Sequence, residues 1–207
     1  METAERNAWI AKLSCWQDPA QFGRLVSECH EALGQFGAMI EHGTGFWRDA
    51  WLAQQQSIHL KACSVRLLHP EPYPDFALML GTDELRFETT EAIGRLRRRG
   101  DEYREDLRLV EQGILPVRQD PADAWLSPEM AFELLQQRAS AKACKPYAGA
   151  CGLLIYLNES EYGSNEQAIR DTFLGATEPA GLTFRTVDVL WHSQVHRVWD
   201  SGKPAAG

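Results

Sequence analysis

Apolar residues recur at intervals of three and four over the first third of the chain, which is the spacing of one helix face. The clearest run follows Asp18-Pro19, a helix-start signal with proline at the first helical position. His42-Gly43-Thr44-Gly45 then interrupts the pattern. The chain is therefore predicted to begin with three helices, at about 4–16, 19–40 and 46–62.

From Ser64 onward the pattern changes to short apolar runs bounded by turn residues, which indicates β-strands. Residues 75–80 and 84–91 flank a turn at Gly81-Thr82-Asp83 and are predicted to pair as a β-hairpin. The strongest strand signal is the continuous apolar run 151–158, typical of a central strand covered on both faces. The other expected strands are 64–69, 183–192 and 195–199, and the other expected helices are 101–112, 127–142 and 165–174.

This order of elements favours an α/β fold: a three-layer sandwich in which helices cover both faces of a mixed sheet. The 207 residues fit one domain. We divide it into an N-terminal helical extension (1–45), an α/β core (46–200) and a frayed tail (201–207).

Composition excludes several classes of protein. Apolar residues make up 44% and charged residues 24%, so disorder is not expected as the main state. A net charge of −8 argues against coating nucleic acid by bulk charge. No apolar run is long enough to span a bilayer, and the amino terminus lacks the basic and small-residue regions of a signal peptide. Five cysteines without a C-x-x-C pair favour reduced thiols, and we expect a cytoplasmic protein with no membrane partner.

Two carboxylates are the candidates for chemistry. Asp75 opens the second strand directly after Tyr73-Pro74, and Glu88 lies within the predicted hairpin partner. Carboxylates placed so can converge across a strand pair and bind Mg²⁺ or Mn²⁺, hard ions that prefer oxygen ligands. Such an ion polarises a phosphoryl oxygen and lowers the pKa of an attacking water. The alternative is that Asp75 caps a turn and Glu88 faces solvent.

The segment PYPDFALMLGTDELRFETTE resembles the signature of the PD-(D/E)XK nuclease superfamily. Pro74-Asp75 matches its Pro-Asp, Glu88 matches its second acid, and the element order over about 46–192 is similar to its restriction-endonuclease-like α-β-β-β-α-β core. The resemblance implies metal-dependent hydrolysis of nucleic-acid phosphodiesters. It also implies that Asp75, Glu88 and the Thr89 carbonyl bind the Mg²⁺ or Mn²⁺ ion.

The sequence departs from this signature at Thr90, where the superfamily has a lysine. A threonine hydroxyl can position a water but supplies no positive charge. Lys142 and Lys145, at the end of a following helix, are candidates to replace the lysine, as is Arg86 on the same strand face. The superfamily often adds a carboxylate from the first core helix, for which the sequence offers Glu28, Glu41 and Asp49.

A basic segment follows the hairpin, and its arginines are candidates to contact phosphates. The alternative is a solvated surface, because four acids over 101–106 balance much of the charge. The missing lysine and the net charge also support a second hypothesis, an inactive module that binds nucleic acid, a partner protein or a second copy of the chain. The candidate phosphate-binding residues are Arg95, Arg97, Arg98 and Arg99.

Overall fold

The computed structural model describes residues 2–34, 44–69, 73–94, 99–115, 126–146, 151–159 and 165–201. Within these ranges the chain forms six helices and six strands. The helices are α1 (Thr3–Leu13), α2 (Pro19–Leu33), α3 (Gly45–His59), α4 (Arg99–Glu111), α5 (Pro128–Ala143) and α6 (Glu166–Gly181). The strands are β1 (Ser64–Leu67), β2 (Phe76–Leu80), β3 (Asp83–Ala92), β4 (Gly152–Leu157), β5 (Thr186–Trp191) and β6 (Gln194–Asp200).

The six strands form one mixed sheet in the order β1-β2-β3-β4-β5-β6. Strands β1, β2 and β3 are antiparallel neighbours, β3, β4 and β5 are parallel, and β6 returns antiparallel to β5. The two parallel pairs need crossover connections, and these contain α5 and α6. The predicted α/β class with a mixed sheet and an antiparallel hairpin is confirmed.

Two tight turns set the hairpin registers. Between β2 and β3, Gly81 is the first residue of a two-residue loop and has φ +63°. Between β5 and β6, His192 and Ser193 both have positive φ, 51° and 58°, as a type I′ turn requires. The second turn was not predicted, because His192 was assigned to the end of a strand. The observed strand β5 covers the middle of the predicted run 183–192.

Helices α2 and α5 begin at the capping residues that the sequence predicts. Asp18 accepts hydrogen bonds from the Ala20 and Gln21 N–H groups, and proline holds the first position of α2. Ser127 caps α5 in the same way. Helix α6 continues to Gly181, beyond the predicted 165–174. Its second half buries further apolar side chains, and this packing accommodates an internal proline.

The sheet has a hydrophobic core on each face. Helices α1, α2 and α3 pack on one face, where Phe87, Leu154 and Leu190 are buried. Helices α5 and α6 pack on the other, where Leu153 and Ile155 are buried. Adjacent residues of β4 thus enter opposite cores, which explains why its sequence is apolar without alternation. None of the helices in the described ranges is long and apolar enough to cross a membrane.

Candidate functional site

Strand β3 extends beyond its partner β2, and the candidate site lies where the two separate. Pairing of β2 with β3 ends at Phe76 and Phe87, whereas β3 pairs with β4 as far as Ala92. Asp75 lies one residue before β2. Its N–H donates to the Phe87 carbonyl and its own carbonyl accepts from Leu68, each at 2.9 Å. These backbone bonds fix Asp75 beside the part of β3 that β2 leaves uncovered.

At this edge the Asp75 carboxylate accepts the β3 hydrogen bond that a neighbouring strand would otherwise accept. Its Oδ2 accepts the backbone N–H of Thr89 at 2.7 Å and lies 2.8 Å from the Thr89 hydroxyl. The N–H and C=O of one strand residue point to the same side. The Thr89 carbonyl, predicted as a third metal ligand, is therefore directed to the same edge as Asp75.

Asp49 of α3 reaches the same hydroxyl. The Thr89 Oγ1 lies 3.3 Å from Asp49 Oδ1, so one hydroxyl joins two carboxylates. A hydroxyl has a single proton and can donate to only one of them at a time. We call Asp49, Asp75 and Thr89 the acidic edge. Of the three helix acids left open by the sequence, Asp49 is the one at this edge; Glu28 lies on α2 beside Arg24, and Glu41 lies outside the described residues.

Burial, and secondly the neighbouring charge of Asp75, raise the pKa of Asp49 to about 6. Glu88 adds to the increase, while Arg48 and the hydrogen bond from Thr89 act in the opposite direction. These lowering effects do not bring the pKa of Asp49 back to the ordinary value for an aspartate. The acidic edge therefore holds an aspartate, Asp49, that is costly to ionise beside a second carboxyl group, an arrangement that a bound cation would relieve.

Glu88, one residue earlier on β3, points to the opposite face of the sheet. Its side chain is buried, at 4% exposure, and accepts a hydrogen bond from Lys142 Nζ at the last turn of α5. The alternative that Glu88 faces solvent is therefore wrong. Lys145 is exposed, and Thr90 is half-buried on the strand face it shares with Glu88. Arg86 pairs with Glu84 at 2.7 Å, so Lys142 is the candidate cation that contacts Glu88.

A second polar network continues along the α3 face of β3. Arg48 pairs with Glu91 at 3.2 Å and lies 3.7 Å from Asp49, and the Asn158 side chain donates to Glu91. Sequence reasoning missed this network, because its members come from three elements far apart in the chain. Arg48 nevertheless links the network to the acidic edge and partly neutralises it.

Asp188 is a buried acid that sequence reasoning also missed. It is fully buried on β5, where it accepts hydrogen bonds from Gln56 at 2.6 Å and from Arg197. Burial raises its pKa, whereas Arg197 and Gln56 lower it. A charged residue in the middle of the apolar run TVDVLW was the available signal, since such a residue needs a buried partner. Its contacts join α3, β5 and β6, which is a structural role.

Most of the predicted arginine strip cannot be placed. Residues 95–98, which include Arg95, Arg97 and Arg98, lie outside the described residues, and of Arg99 only its position at the start of α4 is described. Further along α4, Arg108 pairs with Glu105 at 2.6 Å on an exposed face. This pair agrees with the balanced, solvated alternative for that part of the segment.

The oxygen donors of the acidic edge are of the type that Mg²⁺ and Mn²⁺ prefer. Among the described residues no group of three or more His, Cys, Asp or Glu side chains could hold a metal ion. Mg²⁺ commonly binds through one or two carboxylates, with waters and substrate phosphates completing its shell. Asp49, Asp75 and the Thr89 carbonyl fit that kind of site, since the residual positions can be filled from outside the chain.

Comparisons with known proteins found no relatives. No model of a protein family matches the chain, no curated protein matches its sequence, and no solved structure matches its fold.

Proposed function

We propose that the chain is a Mg²⁺- or Mn²⁺-dependent, nuclease-like hydrolase of nucleic-acid phosphodiesters. The observation that carries this proposal is the acidic edge: Asp49 and Asp75 meet at Thr89 where β2 and β3 separate. Two half-buried acids around one hydroxyl stabilise the fold little by themselves, because the charge of Asp75 raises the cost of ionising Asp49. They are suited to holding a hard cation.

The element order supports the same proposal. With α4, which lies between β3 and α5, set aside as an addition, helix α3, the meander β1-β2-β3, helix α5 and strand β4 follow one another as α-β-β-β-α-β. This is the order of the restriction-endonuclease-like core implied by the resemblance of Pro74-Asp75 and Glu88 to the PD-(D/E)XK signature. We propose that core for this chain.

Each residue of the site has a distinct role in this proposal. Asp75, Asp49 and the Thr89 carbonyl would hold the ion, which when bound activates water and polarises a phosphoryl oxygen. Lys142 would supply the positive charge that Thr90 lacks from the α5 face of β3, opposite to the face on which Asp49 lies, since it reaches Glu88 from the end of α5. A lysine beside a phosphodiester stabilises the negative charge that develops during hydrolysis. Glu88, which the resemblance implies as a metal ligand, has a different role in this proposal: it faces α5 and pairs with Lys142, and so holds that lysine in position.

A second candidate function is an inactive module of the same fold that binds nucleic acid or a partner protein. The specific observation in its favour is that cations of the chain already neutralise part of the site: Lys142 pairs with Glu88, and Arg48 lies between Asp49 and Glu91. Such pairing would stabilise the acids after catalysis had been lost.

Mn²⁺ titration calorimetry tests the proposal without a choice of substrate. We expect binding by the wild type, at least a tenfold loss in Asp75→Asn and in Asp49→Asn, and no change in Asp83→Asn. Asp83 is a matched control, because it is an exposed aspartate at the other end of β3. Equal affinity in wild type and Asp75→Asn would overturn the assignment of the acidic edge as the metal site.

Cleavage assays then separate the two candidates. Single- and double-stranded DNA and RNA are incubated with Mg²⁺ or Mn²⁺ and with wild type or Asp75→Asn. A hydrolase loses cleavage in Asp75→Asn while its melting temperature stays close to that of the wild type. Retained nucleic-acid binding without cleavage, and with no effect of metal on melting, would instead support the inactive module.

A further inference from the structure

A polar pocket lies at the end of the sheet where β4 and β5 begin. Its volume is about 450 Å³. The lining includes Glu84, Arg86, Phe87, Cys151, Arg185 and Thr186. We call it the arginine pocket. It does not contain the acidic edge, and the function proposed above assigns no role to its two arginines.

Strand register places the two arginines in one row. Strands β3 and β4 pair Phe87 with Gly152, and β4 and β5 pair Leu153 with Val187. The same offsets put Arg86, Cys151 and Arg185 side by side. The Arg185 N–H donates to the Cys151 carbonyl at 3.0 Å, in agreement with this alignment. Two arginines therefore flank the buried Cys151 in a row across β3 and the starts of β4 and β5.

This row adjoins the Glu88–Lys142 pair. Side chains two residues apart on a strand share a face, so Arg86 and Glu88 point to the same side of the sheet. Cys151 lies near Glu88 as well as in the row of arginines. Burial, and secondly the charge of Glu88, raise the pKa of the Cys151 thiol to about 11. The arginine pocket therefore lies next to the Glu88–Lys142 pair, on the same side of the sheet. Lys142 is the cation that we place beside the phosphodiester.

Charge in the pocket is positive although the chain carries a net charge of −8. Glu84 pairs with Arg86 at 2.7 Å and lies 3.8 Å from Arg66, so one carboxylate faces two arginines. The Arg185 side chain is exposed across the pocket. Arginine presents a planar fork of donors that matches the oxygens of a phosphate group.

We infer that the arginine pocket binds a backbone phosphate of a nucleic-acid strand and thereby positions the strand beside Glu88 and Lys142. The choice of a phosphodiester as ligand rests on the proposed function. The alignment of Arg86 and Arg185 itself rests on the strand register and the pocket lining. Arg185 is the principal contact, because Arg86 is shared with Glu84.

Binding of fluorescently labelled oligonucleotides in EDTA tests this inference apart from metal and catalysis. We expect Arg185→Gln to weaken binding about tenfold at low salt and to reduce the slope of log K against log salt by about one. Arg86→Gln has a smaller effect and Arg185→Glu a larger one. Arg24→Gln is the matched control, since Arg24 is an exposed arginine on α2, outside the arginine pocket.

Full affinity in Arg185→Gln would overturn the inference, as would an equal loss in Arg24→Gln, which would indicate a general charge effect. The absence of any binding by the wild type would also overturn it. Mn²⁺ calorimetry on Arg185→Gln distinguishes this failure from failure of the proposed function, because the acidic edge is intact in that variant. Melting curves of each variant check that the exposed substitutions leave the fold unchanged.

Discussion

Consecutive residues of β3 place carboxylates in two contrasting environments. Toward α5, buried Glu88 has a lysine within hydrogen-bond distance. Toward α3, Thr89 lies between two aspartates, and the pKa of Asp49 is raised to about 6. The first arrangement is stable as the chain provides it, whereas the second gains from a proton or a cation. We therefore expect a binding site on the α3 side, where burial is combined with incomplete charge compensation, rather than at the buried Glu88.

The largest expected effect comes from removing the cation on the α5 side. Lys142→Met leaves Glu88 buried without its lysine and should lower the free energy of unfolding by roughly 3 kcal/mol, somewhat less than for a fully buried pair because Lys142 is partly exposed. Urea denaturation measures the change. Lys145→Met is the control, an exposed lysine three residues further along, for which less than about 0.5 kcal/mol is expected. A Lys142→Met variant as stable as this control would show that Glu88 does not depend on the ion pair.

On the α3 side, Thr89→Val removes the hydroxyl that joins the two aspartates. We expect a loss of roughly 2 kcal/mol, because a buried hydrogen bond to a charged group disappears while the side-chain volume is kept. Thr89→Ser keeps the hydroxyl and should cost clearly less. The Asp49 pKa should rise further in Thr89→Val, since the Thr89 hydrogen bond lowers it. NMR titration of the Asp49 carboxyl would measure this; an unchanged pKa would contradict the bridging role of Thr89.

Asp49→Asn should have the opposite sign. Between about pH 4 and pH 6 the folded protein binds a proton at Asp49 that the unfolded chain has released, so unfolding free energy falls as pH rises through this window. Above about pH 7 the cost of ionising Asp49 is fully present. Replacement by asparagine removes that cost and should stabilise the protein by roughly 1 kcal/mol at pH 7.5, part of the gain being offset by the lost attraction to Arg48.

The pH profile of unfolding is the measurement that decides this point. The stability difference between Asp49→Asn and wild type should grow from about pH 4 to about pH 7 and then stay constant. Mn²⁺ affinity of the wild type should fall as pH drops through about 6, because the proton competes for Asp49. A parallel pH profile for the two proteins would contradict the raised pKa. A variant that is more stable but binds Mn²⁺ less tightly is expected of a residue kept for binding.

The smallest effect is expected for Glu91→Gln. Glu91 pairs with Arg48, which is 42% exposed, and solvent screens such a pair to less than about 1 kcal/mol. Thermal unfolding of Glu91→Gln should therefore be close to wild type at pH 7.5. A loss as large as that in Lys142→Met would mean that the two faces of β3 do not differ in the way described.

Local signals made much of the fold predictable. Proline and a capping residue predicted the start of α2, and a continuous apolar run predicted β4. Gly81 predicted the β2–β3 turn, where the structure gives it a positive φ. The second turn was missed because His192 and Ser193 lack the asparagine or glycine usually found at positive φ. Local patterns also could not show how far α6 continues, since packing rather than propensity stabilises its second half.

The candidate site was predictable only in part. The motif identified Asp75, Glu88 and Thr89, which lie within a single hairpin. Periodicity could not choose between Glu28, Glu41 and Asp49, because the choice depends on which helix turn faces the edge of β3. Lys142 and Lys145 were equivalent in the sequence, and the point at which α5 ends separates them: Lys142 lies in its last turn, whereas Lys145 follows its end at Ala143. Asp188 required tertiary contacts with α3 and β6.

Strand order in this sheet equals chain order, so every strand pairs with its predecessor in the sequence. The pairs β1–β2, β2–β3 and β5–β6 are formed by segments close together in the chain, whereas the parallel pair β3–β4 joins distant residues, such as Phe87 with Gly152, and such long-range pairing slows folding. A chain is synthesised from its amino terminus, so the segments that supply Asp49, Asp75 and Thr89 emerge from the ribosome before β4 exists. Lys142 follows later, and Arg185 arrives only with β5. The two acids of the site thus leave the ribosome before either of the cations that we expect to face the substrate.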